Sequence, residues 1–198
     1  MSRVPFIGLT GGIGAGKSTA LAALERLGAA TVSADAVVHR LYERDDVIDA
    51  VVGRWGTEMA PGGVVDRSAI ASRVFADAPE REWLETLLWP LVAEQVAAFR
   101  AAASARLPPP RAVVVETPLL FEAGMEAVYD ATIAVIADDD IRAERLGRRG
   151  QTAIAERSAR QLTQEHKAAR ATFTVDNAGT PEQLEQRLSD VLATLERT

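Results

Sequence analysis

Short apolar runs alternate along this chain with longer segments whose apolar residues recur every three or four positions. Val4 to Leu9 is the first run and ends in glycines, the pattern of a buried strand. Lys17 to Leu27 places Leu21, Leu24 and Leu27 on one side and stops at Gly28, which predicts a helix. Ala29 to Val32 reads as a second strand and Asp35 to Arg44 as a helix. Ala112 to Glu116 is β-branched and apolar, Ala131 to Ala137 is similar, and Thr172 to Asp176 is a last short strand. Asp138, Asp139 and Asp140 suit a helix amino terminus, where carboxylates meet the positive end of the helix dipole. The polar stretch from Arg142 to Arg170 then reads as helical throughout. Thr180-Pro181-Glu182-Gln183 has the form of a capping box with proline at the first helical position, and Leu184, Leu188, Val191, Leu192 and Leu195 follow on one helical face.

Strands that alternate with helices imply a parallel sheet covered on both faces. One long interruption breaks the rhythm. Asp45 to Arg106 is mostly helical in pattern, with Gly53, Gly56 and Pro61-Gly62-Gly63 early in it. Pro90 predicts a kink or a helix start within it, and Leu107-Pro108-Pro109-Pro110 closes it as a stiff connector. Trp55, Trp83 and Trp89 all fall in this insert and are expected to anchor its core. No internal repeat is present, and the alanine-rich stretch from Ala97 to Ala105 is most simply helix.

The 198 residues suit one α/β domain with insertions, residues 1–198, and nearly half of them are apolar, enough for a sizeable core. There is no cysteine, which excludes disulfides and cysteine-rich metal sites and favours a reducing compartment. A net charge of −6 argues against a broad nucleic-acid surface, so an anionic ligand needs a local concentration of basic groups. The amino terminus lacks the apolar region of a signal peptide, and no window approaches the roughly 20 apolar residues of a membrane span. A soluble, cytoplasmic monomer without nucleic-acid or membrane partners is expected.

That local concentration is found directly after the first strand. Gly11-Gly12-Ile13-Gly14-Ala15-Gly16-Lys17-Ser18 matches the pattern G-x-x-x-x-G-K-[ST], with a strand before it and a helix after it. Glycines let backbone N–H groups turn inward and approach phosphates closely, and the helix dipole faces the anion. Lys17 supplies a mobile cation for the β- and γ-phosphates of ATP, and Ser18 supplies a hydroxyl for Mg²⁺. Gly11, Gly12, Gly14, Ala15, Gly16, Lys17, Ser18 and Thr19 are therefore candidate nucleotide-binding residues.

The wider class follows by exclusion. A regulatory GTPase would carry an Asn-Lys-x-Asp guanine reader, and a transport ATPase a Leu-Ser-Gly-Gly-Gln signature; both are absent. Asp176-Asn177-Ala178-Gly179 fits a loose D-x-x-G but follows the last strand rather than the third. A short chain, a helical insert after the second strand and a late arginine cluster favour a small kinase. The cluster is Arg142, Arg145, Arg148, Arg149, Arg157 and Arg160, with Arg145 and Arg149 on one helix face. It reads either as a closing lid that brings positive charge to the γ-phosphate or as a solvated face paired with Glu144 and Glu156.

Several separated motifs, taken together, resemble the dephospho-coenzyme A kinase family over almost the whole chain. Gly8 to Ser18 looks like that family's phosphate loop, Ser33-Ala34-Asp35 like its Asp-Ala-Asp motif with serine first, and Pro118-Leu119-Leu120-Phe121-Glu122 like its segment after the third strand. Arg145 to Arg149 and Arg160 to Gln164 are similar to its lid, and Val175-Asp176-Asn177-Ala178-Gly179 to its Ile-Asp-Asn-x-Gly turn. Trp89 stands where the family usually has histidine, Gly150 where aspartate is common, and Thr172 where an Ala-Asp pair would finish. The resemblance implies a three-layer P-loop nucleoside triphosphate hydrolase fold with a parallel sheet, an acceptor-binding helical subdomain near 36–106 and a lid near 142–170. It also implies ATP-dependent phosphorylation of the 3′-hydroxyl of dephospho-coenzyme A. A related kinase acting on a nucleoside monophosphate or another metabolite is the alternative, and a nucleotide-dependent binding protein without turnover the rival from another class.

By the same resemblance Asp35 orients and deprotonates the ribose hydroxyl, the favoured reading; a helix N-cap is the other, and both roles are compatible. Lys17, Arg145 and Arg149 are the expected catalytic cations. His39, one helical turn beyond Asp35, is a candidate substrate contact or a structural histidine. Glu116 ends the third strand, as a Mg²⁺-water ligand or as a paired strand-end carboxylate. Pro118, Leu119, Leu120 and Phe121 are expected to line the acceptor pocket, against the reading that an apolar run after a strand is core. Asn177 is placed near the adenine of ATP, or is a turn asparagine.

Overall fold

The computed structural model describes residues 3–147 and 161–197. Five parallel strands form one sheet in the order β2-β3-β1-β4-β5, with β1 Phe6–Gly11, β2 Ala30–Ser33, β3 Val113–Glu116, β4 Ala131–Ile136 and β5 Phe173–Asp176. All six residues of β1 are buried, as a central strand flanked on both sides requires. Leu9 lies opposite both Glu116 of β3 and Ile133 of β4, so the register brings the carboxyl ends of three central strands to one edge.

Around the sheet run α1 Lys17–Arg26, α6 Asp139–Gly147, α7 Gln164–Arg170 and α8 Pro181–Leu195. The core cluster joins Ile7, Leu9, Val114, Ile133 and Val135 from the strands to Ala20, Ala23 and Leu24 of α1 and Leu184, Leu188 and Leu192 of α8. Each fully buried leucine contributes about 1.5–3 kcal/mol. The capping box forms: Gln183 N–H donates to the Thr180 hydroxyl at 3.4 Å and Thr180 N–H to the Gln183 amide oxygen at 3.0 Å. Together these bonds fix where α8 starts and thereby which face meets α1.

The chain divides into two compact units, residues 1–33 with 100–198, and residues 34–99. The second holds α2 Ala34–Leu41, α3 Asp45–Trp55, α4 Arg67–Ala76 and most of α5 Ala78–Ser104. Its centre is an edge-to-face pair of Trp55 and Trp83, with ring centroids 4.8 Å apart. Glu80 ties this pair down: it accepts from Trp55 Nε1 at 2.7 Å and from Arg54 Nε at 3.0 Å.

Three expectations are corrected here. Of the two readings of Pro90, the helix start is excluded, because α5 continues through it from residue 78 to 104. Trp89 is not a core anchor: it is 56% exposed, whereas Leu88 beside it is buried. The helical reading of 142–170 fails at 161–163, which are non-helical. Thr163 caps α7 there, its side chain accepting from His166 N–H. Arg148, Arg149, Gly150, Arg157 and Arg160 lie outside the described residues.

Candidate active site

The segment between β1 and α1 turns on glycines. Gly14 and Gly16 have φ of +79° and +92°, the left-handed region. Gly16 is also pressed by a neighbour, since a Cβ there would lie 2.0 Å from Asn177 Nδ2. No other residue type fits that position without displacing the asparagine.

Every carbonyl of the loop is matched to a donor. Lys17 Nζ donates to the carbonyls of Gly11 and Gly12 at 3.0 and 3.1 Å. Arg142 Nε donates to Ile13 at 2.9 Å and Arg145 to Gly14 at 3.3 Å. Asn177 Nδ2 donates to Ala15 at 2.8 Å, and Ala20 N–H to Gly16 at 3.0 Å as α1 begins. Among the described residues, the N–H groups of Ile13, Gly14 and Gly16 meet no acceptor. The loop thus turns its acceptors toward the protein and leaves a set of donors at a helix amino terminus, the arrangement that binds an anion. Ser18 and Thr19, in the first turn of α1, are exposed.

Around this loop sit the other predicted residues of the first unit. Glu116, at the end of β3, accepts from Ser33 Oγ at 2.6 Å. The Ser33 hydroxyl, which stands where the resemblance expects a carboxylate, therefore orients Glu116. Asn177 is 5% exposed and braces the loop from behind; its own carbonyl accepts from Arg145 at 3.1 Å. One of its two side-chain N–H groups is used by Ala15. Arg145 likewise donates to two backbone carbonyls, so it is placed at the loop.

The segment after β3 departs from expectation. Leu120 and Phe121 are 0% and 2% exposed, with Phe121 beneath the Arg170 guanidinium at 4.9 Å. They are core rather than pocket lining, because the chain turns inward under α7. Half-buried Pro118 and exposed Leu119 are the part of the segment left at the surface.

In the second unit Asp35 and His39 are both exposed and four residues apart on α2. Among the described residues Asp35 caps no helix end and has no hydrogen-bond or ion-pair partner. It stands two positions beyond Ser33, the last residue of β2.

The match to known proteins decides the family. The dephospho-CoA kinase family model matches residues 5–183, most of the chain. The chain belongs to the dephospho-CoA kinase family. Relatives bearing that name include one from Anaeromyxobacter dehalogenans, 42% identical over 96% of this chain and 91% of the relative. Another, from Deinococcus radiodurans, is 40% identical over 97% and 93%. The solved structure of the Thermus thermophilus protein TT1252 superposes with a TM-score of 0.83 at 32% identity, covering 98% of this chain and 99% of that one. A dephospho-CoA kinase from Campylobacter jejuni shares the fold at 21% identity, with a TM-score of 0.68 over 96% of each chain.

Within this dephospho-CoA kinase family chain, sequence reasoning missed Lys167. It is fully buried on α7, and its Nζ donates to the carbonyl of Pro118 at 2.6 Å and lies 3.0 Å from Glu122 Oε1. Burial pushes its pKa down against the pull of Glu122. Gln164 was missed as an anchor as well: its amide both accepts from Ala137 N–H at 3.0 Å and donates to Ala137 O at 2.9 Å. The available signal was a lysine on a helix whose polar neighbours gave it no local partner.

Proposed function

We propose that this protein transfers the γ-phosphoryl group of ATP to the ribose 3′-hydroxyl of dephospho-coenzyme A in the cytoplasm, giving ADP and coenzyme A. The observation that carries the reading is the phosphate loop, with its carbonyls bound from behind and its N–H groups facing outward, in a chain of the dephospho-CoA kinase family. In the transfer the acceptor oxygen forms a bond to the γ-phosphorus, and the bond from that phosphorus to the bridging oxygen of ADP breaks. The hydroxyl proton passes to the carboxylate of Asp35. A ribose hydroxyl is a poor nucleophile at neutral pH, and an exposed carboxylate can align it and take its proton.

Lys17 and the loop N–H groups hold the β- and γ-phosphates, and Arg145 extends that positive edge; Arg149 shares its helix face in sequence. Ser18 and Glu116 are the proposed Mg²⁺ side, an all-oxygen donor set that suits a hard cation. Among the described residues no group of three or more His, Cys, Asp or Glu side chains is gathered for a metal, which fits an ion held mainly by phosphates and water. When bound, Mg²⁺ supplies charge neutralisation between the β- and γ-phosphates. Pro118, Leu119 and His39 are the proposed acceptor contacts, with residues 36–106 as the acceptor-binding part and 142–170 as the lid.

The test is a coupled assay of ADP release with dephospho-coenzyme A, AMP, UMP and shikimate as acceptors. Dephospho-coenzyme A is expected to have by far the highest kcat/KM. A monophosphate nucleotide that surpasses it would overturn the acceptor assignment and leave only the phosphoryl-transfer chemistry. Equal ADP release with every acceptor would likewise remove the acceptor assignment, and no ADP release with any of them would remove both.

A further inference from the structure

We propose that Lys167 is a positioning residue for the acceptor segment, tying Pro118 to the strand that feeds the phosphate loop; this rests on the acceptor reading given under Proposed function. The ammonium has three N–H groups and meets three oxygens. These are the Pro118 carbonyl at 2.6 Å, Glu122 Oε1 at 3.0 Å and the Thr10 hydroxyl at 3.4 Å. Thr10 itself donates to the Pro118 carbonyl at 3.2 Å. One carbonyl oxygen therefore receives two donors, one from α7 and one from the residue directly before Gly11. Glu122 Oε1 also accepts from Leu162 N–H at 2.7 Å, so the far end of the segment is held to the approach of α7.

Packing alone does not call for this arrangement. A fully buried lysine is rare, and an apolar side chain of like volume would serve a plain core at least as well. What the lysine adds is direction. It fixes the carbonyl of Pro118 relative to Thr10, while Leu120 and Phe121 plug the core just beyond. Half-buried Pro118 and exposed Leu119 are held between these two fixed points. The loop clamps use other side chains, namely Arg142, Arg145 and Asn177. Loosening the lysine tie is thus expected to be felt by the acceptor and much less by ATP.

The experiment compares the full chain with Lys167→Met and with Lys167→Met/Glu122→Gln, reading Tm and the KM of each substrate. Lys167→Met leaves Glu122 charged and unpaired, so Tm falls; the double variant removes that charge, keeps an acceptor for Leu162 N–H, and recovers most of the Tm. Both variants are expected to raise the KM for dephospho-coenzyme A about tenfold or more, the scale of losing a charged hydrogen bond. The KM for ATP should move by no more than about threefold. A stable double variant with an unchanged acceptor KM overturns the proposal and makes the lysine merely structural. So does an equal rise in both KM values. Should Lys167→Met fail to fold, the double variant carries the test. An unmodified protein inactive on dephospho-coenzyme A would instead sink the functional reading, and with it this one.

Discussion

Replacing Asn177 by alanine tests whether the loop is held in shape before ATP arrives. The side-chain amide donates to the carbonyl of Ala15 at 2.8 Å, and both residues are buried, at 5% and 0% exposure. A neutral hydrogen bond is worth about 0.5–1.5 kcal/mol net, but a buried carbonyl left without a donor costs about 1–3 kcal/mol. That cost falls on the fold if the loop keeps its shape, and on ATP binding if the loop relaxes to find water. At about 1.4 kcal/mol per tenfold, full expression in binding means a rise of about 5- to 150-fold in the KM for ATP. The loop ends at a surface-reaching helix start, so relaxation is the easier course. An increase near tenfold with a small fall in Tm is expected. Asn177→Asp should be worse than alanine: it sets a carboxylate against the Ala15 carbonyl and beside a site meant for phosphate. The bond from Arg145 to the backbone carbonyl of residue 177 survives both changes. A coupled ADP-release assay with ATP varied, together with thermal unfolding, checks the pair. If Asn177→Ala leaves both ATP KM and Tm unchanged, or if the aspartate variant binds ATP better than the alanine one, the bracing argument is wrong.

Other outcomes follow from the same geometry. Lys17→Ala should fold normally, because its side chain reaches the loop and not the core, and should lose at least about 10²-fold in kcat. Asp35→Asn should lose about 10²-fold or more in kcat with ATP binding nearly unchanged; a loss under about tenfold would assign the residue to structure and turn attention to Glu116 or His39. Gly16→Ala should be less harmful in an Asn177→Ala background than alone, because the collision at 2.0 Å is then gone and only the left-handed backbone remains to be accommodated. Glu80 is held below its ordinary value of 4.5 first by the Arg54 hydrogen bond and then by Trp55, so the unfolded chain takes up its proton at higher pH than the folded one. Its stabilising effect is therefore present above about pH 4.5 and lost as pH falls through its lowered folded value. The Tm gap between the protein and Glu80→Gln should be open at pH 7 and close toward pH 3.

The elements that local pattern specifies were legible in the sequence. Five apolar runs gave the five strands to within two residues at either end, and Thr180 to Gln183 gave the start of α8. The phosphate loop was legible for the same reason, since its chemistry lies within eight consecutive residues. What failed depends on residues far apart in the chain. Whether Trp89 is buried is decided by which face of α5 meets the rest of the helical unit, and the helix is apolar enough on several sides for spacing to leave that open. Pro118 to Phe121 looked like one apolar strip, yet the turn inward at Leu120 splits it into surface and core. The break at 161–163 hides because Thr163 can sit in a helix as well as cap one; only the fold of Glu122 beneath Leu162 settles it.

The loop shows why such long-range pairings matter for chemistry. A glycine-rich segment is costly to order, and ordering it at the moment of binding would weaken the hold on ATP. Here the donors that order it come from α1, α6 and the turn after β5. Some of these bonds join residues more than 120 positions apart, such as Arg142 to Ile13 and Asn177 to Ala15. Each satisfies a carbonyl, and a peptide whose carbonyl is turned toward the protein has its N–H turned away from it. Anion affinity is therefore set in part by side chains that need never touch the anion. The same logic places Arg142 and Arg145 at once in the scaffold and in the charge of the site, so that removing either disturbs the direction of the loop dipoles as well as the local potential. Arg142→Met and Arg145→Met should accordingly raise the KM for ATP more than would follow from deleting a surface charge, and the excess should persist in high salt, where screened charge effects fade. Were the whole effect of either variant abolished by salt, the arginines would act through charge alone.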